Sequence, residues 1–89
     1  MVVNGAATQI SDLMTTVNSM GLSSSLQNSL DVKLKAALKA VKAGQTATDC
    51  SDLSDFISEA RSQSGKGLTV SQAKQVIAAA KQVQAVLGC

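Results

Sequence analysis

Covalent chemistry in this chain rests on two cysteines. Cys50 and Cys89 stand 39 positions apart, and there is no third cysteine and no histidine. Redox-active pairs place their cysteines close together in sequence with a lowered thiol pKa, and zinc sites need further Cys or His ligands. Neither a metal nor a cofactor is therefore expected, and a structural Cys50–Cys89 disulfide is the chemistry that remains. The missing histidine also removes the commonest general base. Serines are many, but they cluster where a hydroxyl can serve a helix cap or a turn. A Ser–Lys dyad would lack the strand-turn-helix elbow that presents such a nucleophile. No catalytic residue is assigned, and the expectation is a protein that is not an enzyme.

Three other groupings could bind rather than react. Asp52, Asp55 and Glu59 follow the i, i+3, i+7 spacing of one helix edge, which could meet calcium or a partner. Calcium favours loops that supply six to eight oxygens, so a solvated edge is expected instead. Lys35, Lys39 and Lys42 share one helical face with Val32. This is a possible contact face for an anionic surface such as teichoic acid, an acidic glycan or a lipid headgroup, or else a solubilising face. Ser64-Gly65-Lys66-Gly67 resembles a phosphate-cradling loop only loosely, because a Walker loop needs GxxxxGK[ST] after a strand. A helix–helix connection with glycines at positive φ is expected there.

These residues must be carried by helices. Proline is absent and 45% of the 89 residues are hydrophobic, recurring every three or four positions rather than every second. Four segments separate at Gly or Ser clusters. The first, about Thr8 to Met20, has Thr8 as N-cap and an apolar stripe of Ile10, Leu13, Met14, Val17 and Met20. The second, about Ser25 to Ala43, has a Ser24/Gln27 capping box and a ridge of Leu26, Leu30, Leu34, Leu38 and Val41. The third, about Asp49 to Ser62, buries Cys50, Leu53, Ile57 and Ala60 with Phe56 beside them. Asp49 and Asp52 stand where negative charge suits the helix dipole. The fourth, about Val70 to Leu87, has a Thr69/Gln72 capping box and the widest apolar arc, from Val70, Ala73, Val76 and Ile77 to Ala80, Val83 and Leu87, and is expected to be the most buried.

Short connections make neighbouring helices antiparallel. The predicted fold class is all-α: a small four-helix bundle, up-down-up-down or partly orthogonal, with one disulfide. Residues 8–89 form the single domain, and residues 1–7 are expected to be a disordered linker left by excision from a longer chain. In that topology the start of the third helix lies beside the end of the fourth, which brings Cys50 to Cys89. The clasp matters because the core is light, with one Phe and no Trp or Tyr.

Net charge is +2 without a basic block or an aromatic platform, which argues against nucleic acid. No apolar run approaches the ~20 residues of a membrane span. A structural disulfide implies an extracellular or cell-surface setting.

The segment Gly44 to Cys89 resembles the FIMAH-type domain at the ends of large secreted bacterial proteins. The resemblance is carried by Leu53, Phe56 and Ile57 in C-S-D-L-S-D-F-I-S, by S-G-K-G-L-T at Ser64 to Thr69, and by Gln72-Ala73, Ile77, Ala79-Ala80 and Leu87-Gly88-Cys89. Asn28-Ser29-Leu30 and Lys33-Leu34 are similar to the family's second helix, although Asp31 and Val32 interrupt its spacing. The resemblance implies a non-catalytic module with paired cysteines and transfers no catalytic residue.

The function expected from the residues and the resemblance is an extracellular accessory module of a larger secreted or surface protein, monomeric in isolation. It would bind an envelope surface, a polymer or a neighbouring domain of its parent. The alternatives are a structural spacer or self-association domain without a ligand, and a stand-alone secreted membrane-active effector.

Overall fold

Glycine and side-chain caps divide the chain into four helices. The structure, a computed structural model, describes residues 5–89: α1 (Ala6–Asn18), α2 (Ser24–Lys42), α3 (Thr46–Gln63) and α4 (Val70–Leu87). Thr69 begins α4 with the expected capping box, its Oγ1 accepting from the Gln72 amide and its own amide donating to Gln72 Oε1, both at 3.0 Å. Gly88 ends α4 in the left-handed region, with φ 81°. Gly44, also left-handed, turns the chain straight from α2 into α3. The Gln45 amide then donates to the Ala40 carbonyl at 2.8 Å, tying the two helices at the turn.

Three helix starts differ from expectation. The cap of α2 is Ser23, whose hydroxyl accepts from the Leu26 amide. The Gln27 side chain, expected in a box with Ser24, donates to Asn18 of α1 instead. α3 begins at Thr46 rather than Asp49, because Gly44 reverses the chain early and no side-chain cap is used. α1 begins at Ala6 with Gly5 as its cap, so Thr8 is not a cap. Ala6 is buried in the core, and that burial rewards the extra turn. Gly5 to Ala7 therefore belong to the helix and its cap, and the rest of the expected linker, residues 1–4, lies outside the described residues.

The helices form a ring. α1 packs on α2, α2 on α3, α3 on α4, and α4 closes on α1, while the diagonal pairs make no close backbone approach. Cross-helix bonds show the alternating direction. Ser29 near the start of α2 meets Glu59 near the end of α3. Gln84 near the end of α4 meets Cys50 near the start of α3. Gln72 at the start of α4 reaches the Met20 carbonyl just beyond α1. This is the up-down-up-down bundle. Its radius of gyration is 12.2 Å, matching the ~12 Å of a compact domain of this length.

The ring closes over Ile10, Leu13 and Val17, over Leu26, Leu30 and Leu34, over Leu53 and Phe56, and over Val76 and Val83, all buried. Leu68, in the α3–α4 connection, is fully enclosed as well. On α2 the inner row continues through Ala37 and Ala40, while Leu38 and Val41 are only half-buried. Leu38 falls at the edge of the arc and Val41 in the last turn, where fewer neighbours cover it. α4 is not the most buried helix: its inner row is Ala73, Val76, Ala80 and Val83, and Val70, in its first turn, is 53% exposed. A helix in a four-membered ring covers only the arc facing its two neighbours, so the wide apolar arc of α4 exceeds what the ring can enclose.

Candidate functional site

Cys50 and Cys89 form the expected disulfide, with Cα atoms 5.9 Å apart, within the ordinary range for such a bond. It ties Cys50, just past the first turn of α3, to Cys89, two residues beyond α4. Gln84 reinforces the junction, its Nε2 donating to the Cys50 carbonyl at 3.3 Å and to Ser54 Oγ at 3.1 Å.

The predicted contact face is continuous. Val32, Lys35, Lys39 and Lys42 all lie exposed on α2, and Val32 is 64% exposed. At about 100° per residue they occupy the side of α2 opposite Leu30, Leu34 and Ala37. Ala36 and Ala43 are exposed on the same side, so the face carries lysines over small apolar side chains. Among the described residues none of the three lysines has an ion-pair or hydrogen-bond partner. Asp31, the nearest acid in sequence, is half-buried at the edge of this face and is not paired with them.

The fourth lysine of α2 behaves differently. Lys33 Nζ lies 2.7 Å from Glu59 Oε1, and Ser29 Oγ donates to both Glu59 oxygens, at 2.8 and 2.6 Å. Lys33 Nζ also donates to Ser29 Oγ at 3.4 Å. Sequence spacing thus does bring one Ser–Lys pair together. Burial pushes the Glu59 pKa up, but the hydrogen bonds from Lys33 and Ser29 and the Lys33 charge outweigh it, and the net shift is downward. A carboxylate held below its ordinary pKa is a poor proton acceptor, and the Lys33 ammonium is engaged by that same carboxylate. The cluster does what a polar tether does, fixing α2 to α3. It borders a shallow groove of about 300 Å³ that includes Ser23, Ser25 and Gln63.

Sequence reasoning missed this tether because it placed Glu59 on an acidic edge with Asp52 and Asp55. The edge is broken: Asp55 is exposed, Asp52 is half-buried, and Glu59 turns to α2. Among the described residues no group of three potential metal ligands occurs.

The Ser64–Gly67 connection carries no anion cradle. The Gly65 amide donates to the Leu68 carbonyl, and the Lys66 and Leu68 amides both donate to the Gln63 carbonyl, at 2.8 to 3.0 Å. Those donors are consumed within the turn. Gly65 has the expected positive φ of 78°. Gly67 does not; a Cβ there would lie 2.5 Å from Leu26 Cδ2, so any larger residue would have to displace that side chain.

The largest departure is Asp49. It is fully buried, with neither carboxylate oxygen hydrogen-bonded. Burial first, and the Asp52 charge second, raise its pKa from 3.8 to about 6. Comparison with protein-family models, curated proteins and solved structures gives no match.

Proposed function

We propose that this domain is a non-catalytic extracellular module that attaches its parent protein to an anionic polymer of the cell envelope, through the Val32–Lys35–Lys39–Lys42 face of α2. The observation that carries the reading is the unpaired state of the three lysines. Each is exposed, each lacks a carboxylate partner among the described residues, and all lie on one helix face. Val32, Ala36 and Ala43 supply apolar footing between the charges. The disulfide supports an oxidising setting, as does the resemblance of Gly44 to Cys89 to a module of secreted proteins.

Magnitude favours an accessory role. A lysine near an anionic surface contributes of order 1 kcal/mol. Three such contacts correspond to a Kd on the order of 10 mM. That is too weak for a free-standing binder and useful for a module whose parent holds it at high local concentration or in several copies.

The test is retention of the domain on immobilised poly(glycerol phosphate) and on immobilised neutral dextran, in 20 and 300 mM NaCl. Retention on the phosphate polymer alone, lost at the higher salt and lost in the Lys35→Glu/Lys39→Glu/Lys42→Glu variant, is expected. Equal retention of that variant would remove the reading.

A further inference from the structure

The inward row of α3 runs Asp49, Leu53, Phe56 and Ala60, with Ile57 beside it. Its first member is a carboxylate in a row whose other members are apolar. Asp49 is as enclosed as Leu53 and Phe56, at 0% exposure, and no donor reaches either oxygen. Burying a charge without a partner is strongly unfavourable, so such a group favours its neutral form.

Its position gives this consequence. Asp49 precedes Cys50, which the disulfide ties to the end of α4, and Gln84 of α4 bonds the Cys50 carbonyl. On the other side, the Gln45 amide bonds the Ala40 carbonyl of α2. The first turn of α3 is thus a three-helix junction with an unpartnered acid inside it.

Among the described residues no cation compensates. Of the described helices, α2 and α4 have backbones packed against α3, and α1 carries Asp12, which is exposed. On α2, Lys33 is paired with Glu59, while Lys35, Lys39 and Lys42 are exposed and unpaired. On α4, Lys74 and Lys81 are exposed and unpaired. The one acid of α2, Asp31, is half-buried and adds no favourable charge. On α3 itself Asp52, one turn on, repels an ionised Asp49, and Arg61 stands in the last turn, at the far end of the helix.

We propose that Asp49 is a proton-operated catch: in its neutral form it lets the α2–α3–α4 junction stay closed, and on losing its proton it favours opening of the first turn of α3 while the disulfide stays intact. Opening returns the carboxylate to water. The closed form keeps its proton up to a pH of about 6, whereas an exposed aspartate releases it near 3.8. Opening is therefore favoured as pH rises between those values, by on the order of 50-fold between pH 4 and pH 7. The domain would be tightest in mildly acidic surroundings and looser at neutrality.

Amide hydrogen exchange on the disulfide-intact protein tests this, with protection corrected for the intrinsic pH dependence and α1 amides as the internal reference. In the native protein, protection of the amides of residues 49–53, the first of which donates to the Gln45 carbonyl, should fall at least about tenfold relative to α1 between pH 4.5 and pH 7. Asp49→Asn, uncharged and nearly isosteric, should abolish that fall. Asp52→Asn, which keeps the catch and removes a repelling charge, should shift its midpoint to lower pH. A fall shared equally by α1, or one that persists in Asp49→Asn, would overturn the proposal.

Discussion

Removing the Cys50–Cys89 bond should cost this domain a large share of its stability. The bond closes a loop spanning a sequence separation of 39. Confining an unfolded chain in a loop of about 40 residues lowers its entropy by roughly 13 cal/mol/K, or about 4 kcal/mol at 25 °C. A domain of this length has a total stability of roughly 4–13 kcal/mol, and this one draws on a single aromatic residue for its core. Cys50 is half-buried and Cys89 exposed, so Cys50→Ser/Cys89→Ser leaves little cavity, and the loss reports mainly on the unfolded chain. At 4–8 °C per kcal/mol for a chain of this size, the melting temperature should fall by roughly 15–30 °C. Urea unfolding followed by far-UV circular dichroism measures the change directly. The urea dependence should also steepen, because the unlinked chain exposes more surface when unfolded. A double variant within about 1 kcal/mol of the native protein would refute the reasoning. The stability would then reside in the ring packing alone.

The pH profile should carry two opposed signatures. Asp49 has a folded pKa above its unfolded value, so its contribution is full below about 3.8 and is lost as pH rises through about 6. Glu59 has a folded pKa below its unfolded value of 4.5, so its contribution is present above 4.5 and lost as pH falls through the lowered value. The melting temperature should peak at about pH 4–5, and Asp49→Asn should flatten the neutral limb; a native maximum at pH 7 or above would contradict this. Phe56→Ala, at a fully buried site, should destabilise by about 3–5 kcal/mol in urea titrations. Thr69→Ala removes the hydroxyl half of the α4 capping box and should cost about 1 kcal/mol, whereas Thr8→Ala, no longer at a cap, should change stability by less than about 0.5 kcal/mol.

The fold was largely legible because local signals agreed. Helical periodicity and the Thr69/Gln72 pair each act within one turn of chain, and both are found where expected. The disulfide followed from topology, since an antiparallel hairpin of α3 and α4 can bring its two cysteines to the same end. The basic face was legible for a similar reason: residues 32, 35, 39 and 42 share a side of any helix that contains them.

What escaped the sequence depends on how many neighbours a helix has and on which side they stand. Ser23, Ser24 and Ser25 are nearly equivalent as caps by composition, and the approach of α1 to Gln27 decides among them. Glu59 belongs to an acidic edge until α2 places Ser29 and Lys33 beside it. Val70 has the phase of a core residue, yet the ring leaves it exposed. Asp49 shows the same limit most clearly. By type and position it is a dipole-complementing acid at a helix start, a property of the helix alone. Its burial is a property of three helices, because only when α2 and α4 both close on the first turn of α3 does that side of the helix lose its water. The sequence by itself thus determined four helices, their direction and their covalent clasp, through interactions a few residues long. Only the tertiary structure decided which charges are solvated, paired or stranded, because desolvation is set by neighbours distant in the chain.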